Sequence, residues 1–438
     1  MRKIKVIGAG LAGCEAAYQI TKYGISVELF EMKPKKMTPA HSSRLFAELV
    51  CSNSLRSDRL QNGAGLLKEE LRRMDSLIMR AADCSRVPAG GALAVNRDDF
   101  STYITDSIKQ NPLITVNECE VSEIPNTSEC PVIIATGPLT DGALLESIER
   151  IMGDGLHFFD AAAPIVTRES LNFDKVFEAS RYDRGSDYLN CPFSREEYFD
   201  FVKELVSAET TELHGFEDKS VFEGCMPVEV MAKRGEMTLA FGPLKPVGLY
   251  DERTGMRPFA VMQLRREDKE GRTYNLVGFQ TNLKFGEQKR VFSMIPGLEN
   301  AEFTRFGVMH RNTFLNSPGK LTNTSYEVKN VPNLYFAGQI TGVEGYVEST
   351  GSGLVAGINA ARKLLGLEQI DFTAKTALGA LSHYVSDYTG SDFQPQNINF
   401  GLIDPLEYRV RNKQERYLKI AERSLDFLAS VKEQYALV

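Results

Sequence analysis

Two cysteines of this 438-residue chain sit where a thiol could do chemistry. Val221-Phe222-Glu223-Gly224-Cys225-Met226-Pro227-Val228-Glu229 reads as a strand end followed by a helix start. Pro227 suits the first helical position and Glu229 lies in the first turn. Cys225 then falls at or just before a helix N-terminus, where the dipole and unpaired N–H groups favour thiolate. Gly224 leaves the approach to sulfur open. A thiolate is the group that adds to an electron-poor carbon such as C6 of a uracil. The same context also suits a buried, inert thiol. Lys233 and Arg234, two turns on, read as a solvated basic face. Cys51 follows an apolar run at residues 45–50 and enters Ser52-Asn53-Ser54-Leu55-Arg56-Ser57, a loop rich in local hydrogen-bonding side chains. Cys14 reads as helix packing, and Cys84, Cys119, Cys130 and Cys191 have no distinguishing context. Seven cysteines without a C-x-x-C pair argue against a disulfide framework, a zinc site and a dithiol redox pair. The five histidines, His41 and His310 in loops among them, show no metal-ligand spacing.

The elements that would position these groups begin at the N-terminus. Residues 3–7 form an apolar, β-branched run that ends in Gly8-Ala9-Gly10-Leu11-Ala12-Gly13, a G-x-G-x-x-G turn. Residues 14–22 carry Ala16, Ala17 and Ile20 at helical spacing, and residues 25–30 read as a second strand ending at Glu31. Strand, glycine turn, helix, strand and acid come in the order of a dinucleotide fold. Gly8 permits the tight turn, Gly10 the approach of a pyrophosphate, and Gly13 close packing of helix on strand. The N–H groups at residues 9–13 face the phosphates, and Glu31 accepts from a ribose. Cys51, soon after the second strand, falls on the flavin side of such a domain.

A second glycine cluster selects the cofactor. Residues 132–135 form a strand entering Gly137, and residues 334–337 form another entering Gly338. Gly351 to Ala356 spells G-x-G-x-x-A, opening a helix at residues 354–365. A true second fingerprint follows its strand directly, and this one does not. A late strand, glycine loop and helix instead suit FAD lying across the sheet, which accounts for both ends of the chain; NAD alone would leave the second cluster unexplained. The expected fold is therefore α/β: an FAD-binding Rossmann-like domain of the glutathione-reductase type with an inserted α+β domain. Residues 1–150 are its first part, 151–328 the insertion, and 329–438 its second part with largely helical C-terminal residues. Gly65 to Arg80 reads as one helix.

The composition, 42% hydrophobic and 25% charged, is that of an ordinary globular protein, with no membrane span and no leader, hence cytoplasmic. Net charge is −7, yet residues 226–330 hold 16 Lys+Arg against 11 Asp+Glu, leaving −12 elsewhere around a local +5. A basic surface on an acidic protein is compatible with RNA or with an anionic cofactor. Lys284, Lys289, Arg290, Arg305 and Arg311 are the phosphate-contact candidates. With no Trp, stacking on a base or on folate falls to Tyr or Phe, Tyr346 being the candidate near the flavin.

The glycine turn through Ala17, Leu49-Val50-Cys51-Ser52-Asn53-Ser54, Phe222-Glu223-Gly224-Cys225-Met226-Pro227-Val228-Glu229, and Tyr335-Phe336-Ala337-Gly338-Gln339 through Gly351-Ser352-Gly353 together resemble the bacterial folate- and FAD-dependent tRNA (uracil-5-)-methyltransferases. These are smaller relatives of the glucose-inhibited division protein A family, which modifies the wobble uridine. The resemblance runs end to end and implies C5 methylation of the T-loop uridine, position 54 of tRNA. Methylenetetrahydrofolate would give the carbon, and FAD reduced by NADH or NADPH the electrons. It also implies that Cys225 attacks C6, and that Cys51 helps remove the C5 proton or manages the flavin-side intermediate. Cofactor contacts would come from Gly8, Ala9, Gly10, Leu11, Ala12, Gly13, Glu31, Gly137, Gly338, Gly351 and Gly353. Wobble-uridine modification, a small-substrate NAD(P)H flavoprotein and an FAD-stabilised scaffold without catalysis are the competing readings. With no separate nicotinamide fingerprint, reductant and folate are expected to take turns at one flavin face.

Overall fold

The structure, a computed structural model, describes residues 2–38, 40–153, 156–181, 185–211 and 226–437. β1 (Lys3–Ile7), α1 (Leu11–Thr21) and β2 (Ser26–Glu31) follow the sequence pattern. β3 (Ser54–Ser57), α2 (Gly63–Arg73), α3 (Leu77–Cys84), β4 (Arg86–Val87), β5 (Ala92–Val95), α4 (Arg97–Gln110), β6 (Ile114–Glu118), β7 (Val132–Ile134) and α5 (Gly142–Met152) complete the first segment. β8 (Leu156–Ala161) leads into β9 (Ile165–Thr167), β10 (Phe177–Glu178), β11 (Tyr188–Phe193), α6 (Arg195–Ser207), α7 (Val228–Lys233), α8 (Thr238–Phe241), β12 (Ala260–Arg266), β13 (Thr273–Leu276), α9 (Phe285–Phe292) and β14 (Phe303–Arg305). β15 (Met309–Phe314) pairs antiparallel with β8 and brings the chain back to β16 (Leu334–Phe336), α10 (Tyr346–Leu364), α11 (Ala377–Asp387) and α12 (Lys413–Tyr435).

β16, β7, β1, β2 and β6 form one parallel sheet in that order. Its register brings three strand ends level: Ile7 pairs with Ile134, and Ile134 with Phe336. The turns after β1, β7 and β16 therefore open at one edge, beside Glu31 at the end of β2. That carboxyl edge is where a parallel sheet binds its ligand. β10, β11, β12, β13, β9 and β14 form a second, antiparallel sheet. The two sheets have separate large cores: one joins residues 4–152 to 314–431, the other spans 166–301.

Three expectations need correction. Gly65 to Arg80 is two helices, α2 and α3, because the chain breaks at Asp75 (φ 53°) and Ser76 caps the second through Met79 N–H. α10 begins at Tyr346, well before residue 354. Between α11 and α12, residues 388–412 are irregular, a stretch broken by Pro395 and Pro405.

Candidate cofactor and thiol site

A cleft opens at the carboxyl edge of the parallel sheet. Gly8, Ala9, Gly10, Leu11 and Ala12 line it, together with Glu31, Gly137, Gly338 and Tyr346. The three turn glycines divide the work as their spacing predicts. Gly8 sits at φ 99°, and a Cβ there would lie 2.6 Å from the Ala135 carbonyl oxygen. A Cβ on Gly13 would lie 1.8 Å from the Gly8 carbonyl oxygen, so this glycine seats the helix and does not line the cleft. A Cβ on Gly10 would meet nothing within 4 Å, because Gly10 faces the open cleft. α1 starts there with no capping side chain and no acid in its first turn. Its first N–H groups and dipole are thus left for an anion.

Glu31 is buried and tied in place: its carboxylate accepts from Ala9 N–H at 2.8 Å and from Lys33 N–H at 2.9 Å. A carboxylate has about four lone-pair sites, so acceptor capacity remains for a ribose diol. An uncapped helix terminus for the pyrophosphate and a fixed carboxylate for the ribose, lining one cleft, fit a dinucleotide such as FAD. His41, also on the wall, has its imidazole held below its ordinary range by burial and by the Lys33 ammonium.

The late glycines do something else. Gly351 and Gly353 lie inside α10, away from the cleft. A Cβ on Gly353 would come within 2.2 Å of the Ala12 carbonyl oxygen, and one on Gly357 within 2.7 Å of that of Ala16. Gly351 packs against Leu378 and Leu67. These glycines bring α10 against α1 and hold the first glycine turn from behind, away from the cleft, which corrects their reading as direct cofactor contacts. The α10 terminus is also spent internally. Its first-turn Glu348 is buried, pairs with Arg56 and accepts from Ile398 N–H at 3.0 Å.

Cys51 stands next to the cleft wall formed by Ala47, Glu48 and Val50. Its Sγ lies 3.7 Å from the Ala161 carbonyl oxygen. The Tyr346 hydroxyl accepts from Cys51 N–H. Three arginines from separate elements hold the loop. Arg97 of α4 donates to the carbonyls of Leu49 and Cys51 and pairs with Glu267 at 2.7 Å. Arg265 of β12 donates to Asn53 Oδ1 at 2.8 Å and Ser52 Oγ at 2.7 Å. Arg305 of β14 donates to the Val50 carbonyl. Burial pulls the guanidinium groups of Arg265 and Arg305 below their usual range. Both main structural units thus meet at Cys51, in a positive setting. Neither Arg97 nor Arg265 stands out in the sequence by its type or spacing. A charged residue inside the apolar run 260–265 was the available signal.

The expected phosphate contacts fare differently. Arg305 is committed to Val50, Lys284 pairs with Glu209, and Arg290 pairs with Glu204 and Glu287. Among the described residues Lys289 makes no ion pair. Cys225 and the side chains of His310 and Arg311 lie outside the described residues. Tyr346 lines the cleft, but its hydroxyl is engaged by the Cys51 loop. Cys14 packs as expected, buried, with Sγ 3.3 Å from the Ala9 carbonyl oxygen. Among the described residues no cluster could hold a metal ion.

The family profile of glucose inhibited division protein A matches residues 3–368. A relative from Lactobacillus gasseri, the methylenetetrahydrofolate–tRNA-(uracil-5-)-methyltransferase TrmFO, is 58% identical over 439 residues, covering 100% of both chains. The chain belongs to the TrmFO branch of this family. TrmFO of Desulfitobacterium hafniense is 60% identical over 434 residues, 99% of each chain. TrmFO of Acetivibrio thermocellus is 59% identical over 435 residues, again 99% of each. The crystal structure of Aquifex aeolicus GidA superposes with a TM-score of 0.67 at 16% identity, covering 100% of this chain and 74% of that one. At that identity the superposition shows a shared fold.

Proposed function

We propose that this chain methylates C5 of a uridine in tRNA, the T-loop uridine at position 54, with methylenetetrahydrofolate as carbon donor and FAD reduced by NADH or NADPH. The reading is supported by one arrangement above all: Val50 lines the dinucleotide cleft and Cys51 follows it directly in the chain, so the loop that carries this thiol borders the cofactor site. Relatives 58–60% identical over their full length are named for this activity, which leaves wobble modification or small-substrate oxidation without comparable support.

Bound FAD supplies the electrons that bring the transferred carbon to the methyl level. The N-terminus of α1 binds its pyrophosphate and Glu31 its ribose. Uracil C5 is a nucleophile only after addition at C6, and the sequence around Cys225 suits the thiolate that adds there. C5 then attacks the one-carbon unit. Cys51, fixed by Tyr346 and Arg97, is assigned removal of the C5 proton or handling of the flavin-side intermediate; loss of that proton breaks the bond between the carbon and its carrier, and the electrons that complete the methyl group release the Cys225 sulfur from C6.

The target base must leave its stack, at a cost of about a few kcal/mol. Phosphate contacts offset such a cost. Exposed cations that could make them also lie outside the region of net +5. Arg409, Arg411, Lys413 and Arg416 are exposed and, among the described residues, make no ion pair with a carboxylate. Tyr408, 58% exposed, sits among them. This surface is the proposed grip on the tRNA body. Among the described residues no helix is long and apolar enough to cross a membrane, and a tRNA substrate suits a cytoplasmic enzyme.

The deciding assay is methyl transfer to tRNA lacking T-loop methylation, with methylenetetrahydrofolate and NADH or NADPH. Product at position 54 is expected, with none from Cys225→Ala. Full activity of that variant would remove the assigned nucleophile.

A further inference from the structure

The inserted unit carries a column of three aromatic rings with one open end. Phe303 stacks on Phe306 with centroids 5.3 Å apart and planes 14° apart. Phe306 stacks on Phe285 at 4.8 Å and 16°. Phe285, the first residue of α9, is 55% exposed. A run of near-parallel rings whose last member faces solvent has the geometry of a base stack one layer short.

The column is built rigidly. The buried Gln288 amide donates to the Gly307 carbonyl and accepts from Gly307 N–H, both at 2.8 Å. This two-point clamp fixes α9 against the strand end bearing Phe306, so the stack is preorganised. Its place matters equally. Arg305, between Phe303 and Phe306, reaches the Val50 carbonyl beside Cys51. On the other side, Thr211 N–H donates to the Asn282 carbonyl and Val228 N–H to the Gln280 carbonyl. The chain on either side of the Cys225 motif is therefore tied to residues 280–283, just before Phe285. The column is thus joined through Arg305 to the Cys51 loop and, through the residues just before Phe285, to these ties.

We propose that the open face of Phe285 stacks a nucleobase of the RNA next to the reacting uridine. The proposal deepens the reading of this chain as a tRNA methyltransferase and rests on it. The occupant is a base rather than an apolar side chain because of charge. Lys289 lies one turn along α9 on the same face and makes no ion pair among the described residues, so a phosphate beside the stacked base has a cation to meet. A π-face accepts any base, so Phe285 would hold the opened loop without reading its sequence.

The test uses the full-length, FAD-loaded protein and a T-arm RNA hairpin with 2-aminopurine at each position flanking the target in turn. Binding should quench 2-aminopurine fluorescence at one of them. Phe285→Ala should abolish that quench and weaken hairpin binding about ten- to hundredfold. Phe285→Trp should restore both, and KM for tRNA should move with binding. Unchanged quench and affinity in Phe285→Ala would overturn the proposal. So would a loss that Trp fails to restore, since the ring face would not then be the cause. A wild-type protein that binds and quenches the hairpin but transfers no methyl group would sink the methyltransferase reading while leaving the stacking contact standing.

Discussion

The hydroxyl of Tyr346 accepts the backbone N–H of Cys51 at 2.8 Å and that of Ser52 at 3.3 Å. One side chain from the first turn of the late helix thus fixes a loop that lies nearly three hundred residues earlier in the chain. Burial pushes the phenol well up, so it stays neutral across the working range. Tyr346→Phe keeps the ring and removes the acceptor. Two partly buried N–H groups lose their partner, at about 1–3 kcal/mol. The denaturation midpoint should fall accordingly. Methyl transfer should slow roughly ten- to hundredfold through misplacement of Cys51. An unchanged rate would show that the thiol is positioned by the arginines alone.

Gly10 and Gly353 offer a contrast that separates binding from folding. A methyl on Gly10 meets nothing within 4 Å, whereas one on Gly353 falls 2.2 Å from the Ala12 carbonyl oxygen. Gly10→Ala should keep its thermal midpoint and lose FAD, because the new methyl enters the space meant for the pyrophosphate. Gly353→Ala should cost at least about 1–3 kcal/mol, because α1 and α10 must separate. Flavin content after dialysis and urea midpoints read the two effects independently. Equal stability losses in both variants would refute the division.

This contrast also shows how far the sequence was legible. The first glycine turn is local: strand, turn, helix and acid are contiguous within about thirty residues, although the close approach at Gly8 is to the distant Ala135. Gly351 and Gly353 carry the same spelling, but their partner is Ala12, far off in sequence. Identical spacing serves a phosphate in one place and a helix crossing in the other, and only the tertiary contact distinguishes them. Charge was legible in amount and not in commitment. Lys284 and Arg290 are spent on Glu209, Glu204 and Glu287, pairings that no count reveals. The three arginines around Cys51 come from α4, β12 and β14, and only folding brings them together.

Lys68 gives a pH signature. It is fully buried, donates to the carbonyls of Leu55 and Ser57, and burial lowers its pKa to about 7. The unfolded lysine, near 10.5, binds more protons than the folded one between these values. Stability from this group is therefore gained as pH rises from about 7 toward 10.5, with a slope of at most about 1.4 kcal/mol per pH unit. Lys68→Met loses two hydrogen bonds at every pH, a constant cost. The gap between wild type and variant should widen with alkaline pH in urea titrations at fixed ionic strength. A pH-independent gap would mean that the buried amine stays charged.

The cations at 409–416 make the last prediction electrostatic. Binding that neutralises phosphates releases counterions, so log affinity falls with log salt by about 0.9 per contact on duplex nucleic acid. Arg409→Ala with Arg411→Ala removes two exposed charges that touch neither the cleft nor Cys51. KM for tRNA should rise at low salt, and the slope of log affinity against log salt should flatten by about two. The rate at saturating tRNA should hold, since the reacting groups are untouched. The wild-type and variant curves should converge at high salt, where counterion release gives nothing. Parallel curves would place the phosphate contacts on another face of the protein.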